Sequence, residues 1–287
     1  MHPEGRGDDR GDAVEASPQL SASVRGNLPA PLDPRLAIVI PCYNYERFVR
    51  RAIDSVVAQG RTDCEIVVVD DGSTDGSWRV IADSGVQAYR ISNSGARRAC
   101  LFGADHTRAP FVLFLDADDE LAPGALDTII AALDPQVSKL QFGLTRVDAE
   151  GTVLGPASPS VDDFRDRDGL VDAVLRGGSY TSPPTSGNVF RRDLCEVLRE
   201  ADYDSFIDGT MLFVAPFLGD VVSISDELGR YRIHGGNDSG LGRAPEAAML
   251  RRDAFRFAAR VDHLRAVLDE HELGAGLCAP DEMFFYR

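Results

Sequence analysis

Residues 36–77 read LAIVIPCYNYERFVRRAIDSVVAQGRTDCEIVVVDDGSTDGS. The β-branched run Leu36–Ile40 stops at Pro41, as a short buried strand does. Phe48, Val49, Ala52, Ile53, Val56 and Val57 then recur at helical spacing, which predicts an amphipathic helix over 46–59 ending near Gly60. A second strand, Glu65–Val69, runs into Asp70-Asp71-Gly72-Ser73-Thr74-Asp75, a turn that opens another helix. Working outward, the alternation continues with a strand at Val86–Ile91, a helix over 95–106, a strand at Phe111–Leu115 and a helix over 123–133 with Pro123 in its first turn. Strand and helix in strict alternation, with short connections, imply an α/β fold: a mostly parallel, Rossmann-like sheet with helices on both faces.

The flanks read differently. Residues 1–33 are rich in Gly, Pro, Asp, Arg and Ser without a hydrophobic period, and are expected to form a disordered leader. Beyond 135 the pattern becomes mixed. Lys139–Val147 and Thr152–Leu154 flank Asp148-Ala-Glu-Gly151 as a hairpin, a loop spans 155–168, and a helix covers about 169–176. Thr181–Asn188 reads as loop, followed by helices at 192–201 and 208–218 and a strand at Val221–Ser225. A long helix lies within 244–272. The chain thus divides into a leader (1–33), a ligand-binding half (34–135), a smaller mixed second half (136–243) and a C-terminal helical extension (244–287).

Composition narrows the partners. Thirty basic against 46 acidic residues give a formal charge of −16, which argues against nucleic acid as a partner. The only lysine, Lys139, follows no glycine-rich loop, so a Walker-type site is excluded, and no G-x-G-x-x-G follows the first strand. Five scattered cysteines without a C-x-x-C pattern fit a reducing cytosol and offer no metal spacing. No apolar run approaches the roughly 18 residues of a membrane span, and no hydrophobic signal core is present. The expectation is a cytoplasmic protein; the Arg-rich C-terminal helix (Arg251, Arg252, Arg256, Arg260) could touch a phosphate-bearing ligand or the membrane surface, but reads first as a solvated face paired with nearby acids.

In an open parallel sheet, ligands bind beyond the carboxyl ends of the strands. The residues that follow the four strands are Pro41, Tyr43 and Asn44; Asp70 and Asp71; Asn93 and Gly95; and Asp116, Asp118 and Asp119. Capping and turn chemistry account for several of these singly. They do not account for Leu115-Asp-Ala-Asp-Asp-Glu120, where no cation occurs between Pro110 and Pro123. Two carboxylates about 4 Å apart repel by roughly 4 kcal/mol at an effective dielectric near 20. Read as extended chain, the segment points Asp116 and Asp118 the same way, so something positive must face them. Hard oxygen ligands with few other protein donors suit Mg²⁺ or Mn²⁺ completed by water and phosphates; the glycine and glutamate of an EF-hand loop are missing.

The strings AIVIPCYNYERFVRRAIDSVVAQ, EIVVVDDGSTDGS, FVLFLDADDELAPGAL and the later YRIHGGNDS resemble the family 2 inverting glycosyltransferases of the GT-A fold. The similarity is strong over 36–133 and patchier over 180–240. It implies a nucleoside diphosphate sugar donor and a divalent cation, Mn²⁺ or Mg²⁺. Pro41, Tyr43 and Asn44 would form the first wall of the nucleotide pocket. Asp70 and Asp71 would read the base, commonly uracil, and support the ribose, with Asn93 and Gly95 as the third contact. Asp116-Ala117-Asp118 is similar to the family's D-x-D, with Asp116 toward the ribose and Asp118 toward the metal. His234 would close over the diphosphate or the metal. Many members carry an Arg seven residues after the equivalent of Asn93; that position is Cys100 here, which passes the diphosphate contact to Arg97 or Arg98.

Transfer to a hydroxyl-bearing acceptor also requires a base. Asp208, at the start of an apolar helix, resembles the family's catalytic aspartate and reads equally as an N-cap; Asp204 is the other candidate. Pro183–Asn188 would border the donor sugar or the acceptor, and Met211, Phe213, Phe217 and Leu218 read as core. Two other functions remain. A nucleotidyltransferase on a similar sheet would need a Gly- and Lys/Arg-rich loop after the first strand, which Pro41–Tyr45 lacks. A non-catalytic sugar-nucleotide-binding module would keep Asp71 without needing Asp118, Asp208 or His234, and all three are present.

Overall fold

The computed structural model describes residues 18–201, 203–204, 207–235, 247–270, 276–279 and 283, with backbone alone at 208 and 247–249. Its centre is four parallel strands in the order β4-β3-β2-β5: β2 (Leu36–Cys42), β3 (Cys64–Asp70), β4 (Gln87–Ile91) and β5 (Phe111–Phe114). Between them run α1 (Val49–Val57), α2 (Ser77–Ala82) and α3 (Ala96–Asp105), and α4 (Ala125–Ala132) follows. The period of two along each strand decides which layer a side chain enters. Leu36, Ile38, Ile40 and Cys42 pack with α1, α2 and α4 on one face; Ala37 and Val39 pack with α3 on the other. Every residue from Leu36 to Ile40 is fully buried, at roughly 1.5–3 kcal/mol for each large apolar side chain.

Gly103 lets α3 lie flat on the sheet, since a Cβ there would sit 2.4 Å from Val39 Cγ1. Helices therefore cover both faces, with α6 (Leu194–Glu200), α7 (Asp208–Leu218) and α8 (Ala247–Glu270) joining α3 on its side. Met211, Phe213 and Phe217 are buried, as read from the sequence, while Leu218 at the helix end is only partly buried against the same core.

The same sheet continues through the second half. β10 (Asn188–Arg191) lies antiparallel between β5 and β7 (Val137–Val147), and β11 (Asp220–Arg232) runs parallel to β7. β6 (Glu120–Leu121) closes the far edge against β11. The predicted hairpin is present: β8 (Val153–Gly155) returns antiparallel on β7, with Asp148 Oδ1 accepting the N–H groups of Glu150 (3.0 Å) and Thr152 (2.8 Å). α5 (Asp168–Gly177) is the remaining described α-helix, and a 3₁₀ turn at Thr185–Gly187 lies within the expected loop.

Four readings are corrected. Within the expected leader, Leu20–Val24 forms β1, antiparallel to β4. Its side chains are mostly exposed and its stability is main-chain pairing, which leaves no hydrophobic period to read; residues 1–17 lie outside the described residues. β10 begins at Asn188, where loop was expected, and is too short to show alternation. β9 (Phe164–Asp166) pairs with β11 inside the expected 155–168 loop. β11 extends well past Ser225, because register shifts around Ile224, Glu227 and Gly229 absorb the charged Asp226-Glu227 pair that broke the apolar run.

Candidate functional site

The loops after β4, β3, β2 and β5 stand side by side at one sheet edge. At about 4.8 Å per strand they form a row roughly 14 Å long. Asn44 has φ 60°, a left-handed conformation that Asn tolerates better than most residues. Its Oδ1 accepts the N–H groups of Thr74 (2.8 Å) and Asp75 (3.3 Å), and its own N–H donates to Ser73 Oγ at 2.9 Å. Asn44 thus locks the β2 and β3 loops together, leaving Tyr43 as the exposed ring of this wall.

Both aspartates of the β3 loop are buried, and the hydrogen bonds of Asp71 commit it to scaffolding. Asp70 Oδ2 lies 3.0 Å from Arg90 Nε. Asp71 accepts the N–H of Ser94 at 2.7 Å, its hydroxyl at 3.1 Å and the N–H of Gly95 at 2.8 Å. Burial raises both carboxyls, against these bonds. Asp71 therefore holds the Asn93–Gly95 loop in place, with Asn93 and Gly95 exposed beside it. Gly72, at φ +72°, allows the close approach, since a Cβ there would lie 2.8 Å from the Asn93 nitrogen. Cys42 and Cys64, whose thiols burial pushes up to about 12, are packing residues, and every described cysteine is free.

At the tip of β5 the chain turns, with the Asp119 N–H donating to Asp116 O at 3.0 Å. This corrects the extended reading: Ala117 and Asp118 are the central residues of a turn, and Asp118 parts from Asp119 and Glu120. Asp118 Oδ2 lies 2.8 Å from His234 Nε2. Asp119, fully buried, accepts the Arg232 N–H on Oδ1 (2.9 Å) and the Ser186 hydroxyl on Oδ2 (2.6 Å). Ser186 Oγ in turn accepts the Asp116 N–H at 3.1 Å. Glu120 pairs with the Arg232 guanidinium, which also donates to Asp118 O at 2.8 Å and to Asp148 O at 2.9 Å. Burial raises the Asp118 carboxyl, against the His234 contact. Asp119 is raised well above the usual range by burial and then by its neighbours Asp118 and Asp116.

Part of the positive charge demanded by the acidic tip is thus Arg232, fully buried and more than a hundred residues away in sequence. The sequence reading missed it, along with Ser186 and Asp119 as anchors; the signal was Arg232's place two residues before His234. Phe48, read as part of the apolar face of the first helix, and Tyr45, read only as loop, hold the His234 ring, with centroids at 4.9 and 6.0 Å. Asp208 opens α7, but its side chain lies outside the described residues. Asp204 is buried and ion-paired with Arg256 and Arg260 of α8, which removes it as a free base. Arg98 lines a cavity at the start of α3 with Gly95. Arg97 ties α3 to α6 by donating to Leu198 O and Arg199 O, and so is spent on packing.

A parallel-centred sheet with an acidic tip at β5 and a histidine brought to it by β11 defines the GT-A class. The chain belongs to glycosyl transferase family 2, whose family profile matches residues 37–197, more than half of its length. Among curated proteins it is 33% identical, over 71% of this chain, to an uncharacterized glycosyltransferase of Nostoc. It is 31% identical, over 42% of this chain, to a GalNAc(5)-diNAcBac-PP-undecaprenol beta-1,3-glucosyltransferase of Campylobacter jejuni. The chain spans 66% of the first of these and 41% of the second. Among solved structures, S. aureus TarS 1-349 in complex with UDP-GlcNAc superposes with a TM-score of 0.56 at 17% identity, covering 84% of this chain and 73% of that one. The mannosyltransferase PcManGT of Pyrobaculum calidifontis, in complex with GDP-Man and Mn²⁺, gives 0.51 at 16% identity, covering 90% and 70%.

Proposed function

We propose that this chain is a metal-dependent, inverting glycosyltransferase that moves a hexose from a nucleoside diphosphate sugar, a UDP-sugar, to a hydroxyl of a small-molecule, glycan or lipid-linked acceptor. The observation that carries the reading is the Asp118–His234 pair, 2.8 Å apart where β5 and β11 end. A carboxylate oxygen and an imidazole nitrogen form a donor set suited to Mn²⁺. Adjacent ligands on an octahedral ion with bonds of about 2.1 Å lie about 3 Å apart, so the pair fits a cation with little rearrangement. The described residues contain no cluster of three or more His, Cys, Asp or Glu able to hold a metal, so diphosphate oxygens and water would complete the sphere. When bound, the ion supplies Lewis-acid neutralisation of charge on the departing diphosphate.

The protein's own groups do the rest. Tyr43 stacks the base, Asn93 and Gly95 edge the nucleoside, and the Asp71-held loop keeps that wall preorganised. Asp116 faces the ribose, and Arg98 stands toward the diphosphate. Arg232, Asp119 and Ser186 fix the turn that carries Asp118, so the carboxylate does not need to reorganise when the donor enters. Asp208 takes the proton from the acceptor hydroxyl oxygen on the side of the sugar opposite the diphosphate, which is the geometry of inversion. The relative named GalNAc(5)-diNAcBac-PP-undecaprenol beta-1,3-glucosyltransferase and the UDP-GlcNAc complex support the choice of donor and acceptor classes. No described helix is long and apolar enough to cross a membrane. The loop Pro41–Tyr45, without glycine, lysine or arginine, speaks against nucleotidyl transfer.

The test is a thermal-shift panel of UDP-, GDP- and dTDP-sugars with and without Mn²⁺. A specific donor at a hundredfold excess over Kd stabilises by about 2.7 kcal/mol. A UDP-sugar shift that requires Mn²⁺ is expected; no shift with any donor under either condition refutes the reading.

A further inference from the structure

Lys139 is the only lysine of the chain, and its side chain is fully buried. Packing alone gives no reason for it, since an apolar side chain of similar volume in place of a buried ion is often neutral or stabilising. On β7 it shares a sheet face with Gln141, and the strand pairing sets Asn188 of β10 and Ser223 of β11 opposite Gln141 on that face. The ammonium donates to Gln141 Oε1 at 2.6 Å and to Ser182 Oγ at 2.9 Å, and lies 5.0 Å from the centre of the Tyr180 ring. An ammonium only donates, so Ser182 is made an acceptor there and turns its own proton to Asn188 Oδ1, 3.0 Å away. With its oxygen taken, Asn188 aims its NH₂ group at Pro183 O (3.1 Å) and Pro184 O (2.9 Å). Two successive prolines have no N–H, so their carbonyls are the main-chain handles by which this segment is held.

The prolines lead straight into the 3₁₀ turn Thr185–Gly187, closed by the Gly187 N–H on Pro184 O at 2.8 Å. Gly187 packs so closely that a Cβ there would meet Pro183 and Phe142 O at 2.8 and 2.9 Å. Ser186, fully buried in the middle of this turn, gives its proton to Asp119 and accepts the Asp116 N–H. One hydroxyl therefore grips both ends of the turn whose centre carries Asp118. We propose that Lys139 is a positioning residue for that turn, acting through Ser182, Asn188 and Ser186, and that it sets how firmly Asp118 is held toward a divalent cation. The inference rests on the proposed function for the cation, and on the hydrogen-bond chain alone for the positioning.

The experiment follows Mn²⁺ binding to the full chain at saturating UDP, by the electron paramagnetic resonance signal of the free ion. Ser186→Ala should weaken Mn²⁺ binding by about tenfold or more, as loss of a group that orients a metal ligand does, and Ser182→Ala and Lys139→Met by about three- to tenfold. Ser182→Ala added to Ser186→Ala should change the affinity by less than about twofold, because the route is already cut. Amide hydrogen exchange without metal gives a second readout: residues 116–120 should exchange several-fold faster in Ser182→Ala, with β2 and β3 at the wild-type rate. Ser182→Ala carries the test if Lys139→Met does not fold, since it opens the chain of bonds by removing a single hydroxyl. Wild-type Mn²⁺ affinity in Ser182→Ala, an equal loss in both backgrounds, or unchanged exchange at 116–120 would each overturn the proposal. A wild-type chain that binds no Mn²⁺ refutes the metal reading instead, and the exchange result then decides the positioning on its own.

Discussion

Substitution should separate the neighbouring acids at the β5 tip, Asp119 through stability and Asp118 through turnover. Asp119 is 1% exposed and serves two donors, the Arg232 main-chain N–H and the Ser186 hydroxyl. In Asp119→Asn the amide oxygen still accepts the N–H, and the amide NH₂ donates to Ser186 Oγ, which has a second lone pair beside the one on the Asp116 N–H. The change also removes a buried negative charge flanked by Asp118 and Asp116. The net cost should stay within about 1 kcal/mol. Asp119→Ala orphans both donors, at about 1–3 kcal/mol each, for a total of about 2–6 kcal/mol. Asp118→Asn should leave stability near wild type while transfer falls by at least about 100-fold, or about 2.7 kcal/mol of barrier.

The pH dependence carries the same sign. The Asp119 carboxyl is raised in the folded state, so its ionisation costs stability as pH rises from the ordinary 3.8 through the raised folded value. Asp119→Asn should flatten that fall. Urea unfolding from pH 4 to 8, with transfer measured using the donor found in the binding panel, checks all of this. An Asp119→Asn protein as unstable as Asp119→Ala, or Asp118→Asn turning over near wild-type rate with Mn²⁺, refutes the division of labour.

Three further outcomes are expected. Gly72→Ala forces a left-handed alanine whose Cβ meets the Asn93 nitrogen at 2.8 Å; it should cost about 1–3 kcal/mol in urea melts and weaken donor binding by displacing the Asn93 loop. Burial would raise Asp75, but its bonds from Ser77 and the Glu46 N–H outweigh that and lower it, so its stabilisation is complete above the ordinary 3.8 and disappears as pH falls through the lower folded value. Asp75→Asn should therefore show a shallower acid limb than wild type in melts from pH 2 to 5. Asp208→Asn should keep donor affinity and lose transfer by at least roughly 100-fold, and near-normal turnover would remove it as the base.

The parallel centre of the sheet was written locally. Strand runs such as Leu36–Ile40 are buried on both faces, and the helix at Val49–Val57 carries its own period, so each element declares itself within a dozen residues. The strand-end rule then collected Tyr43, Asp71, Asn93, Gly95 and Asp118 at one edge without any contact being known. The β1 and β10 strands escaped because main-chain pairing with a distant partner creates them, and four or five residues carry too little pattern to reveal it.

The site divides along the same line. Residue types and order along the chain determined that acids would crowd the tip of β5 and that His234 was worth watching. Only tertiary structure decided that Asp118 meets His234, that Asp119 is spent on Ser186 and Arg232, and that Asp70 and Asp71 brace the pocket walls from within. Local sequence sets what a side chain can do chemically. Which partner satisfies it is settled by long-range packing, where a guanidinium over a hundred residues away can supply part of the charge that composition alone would give wholly to an ion.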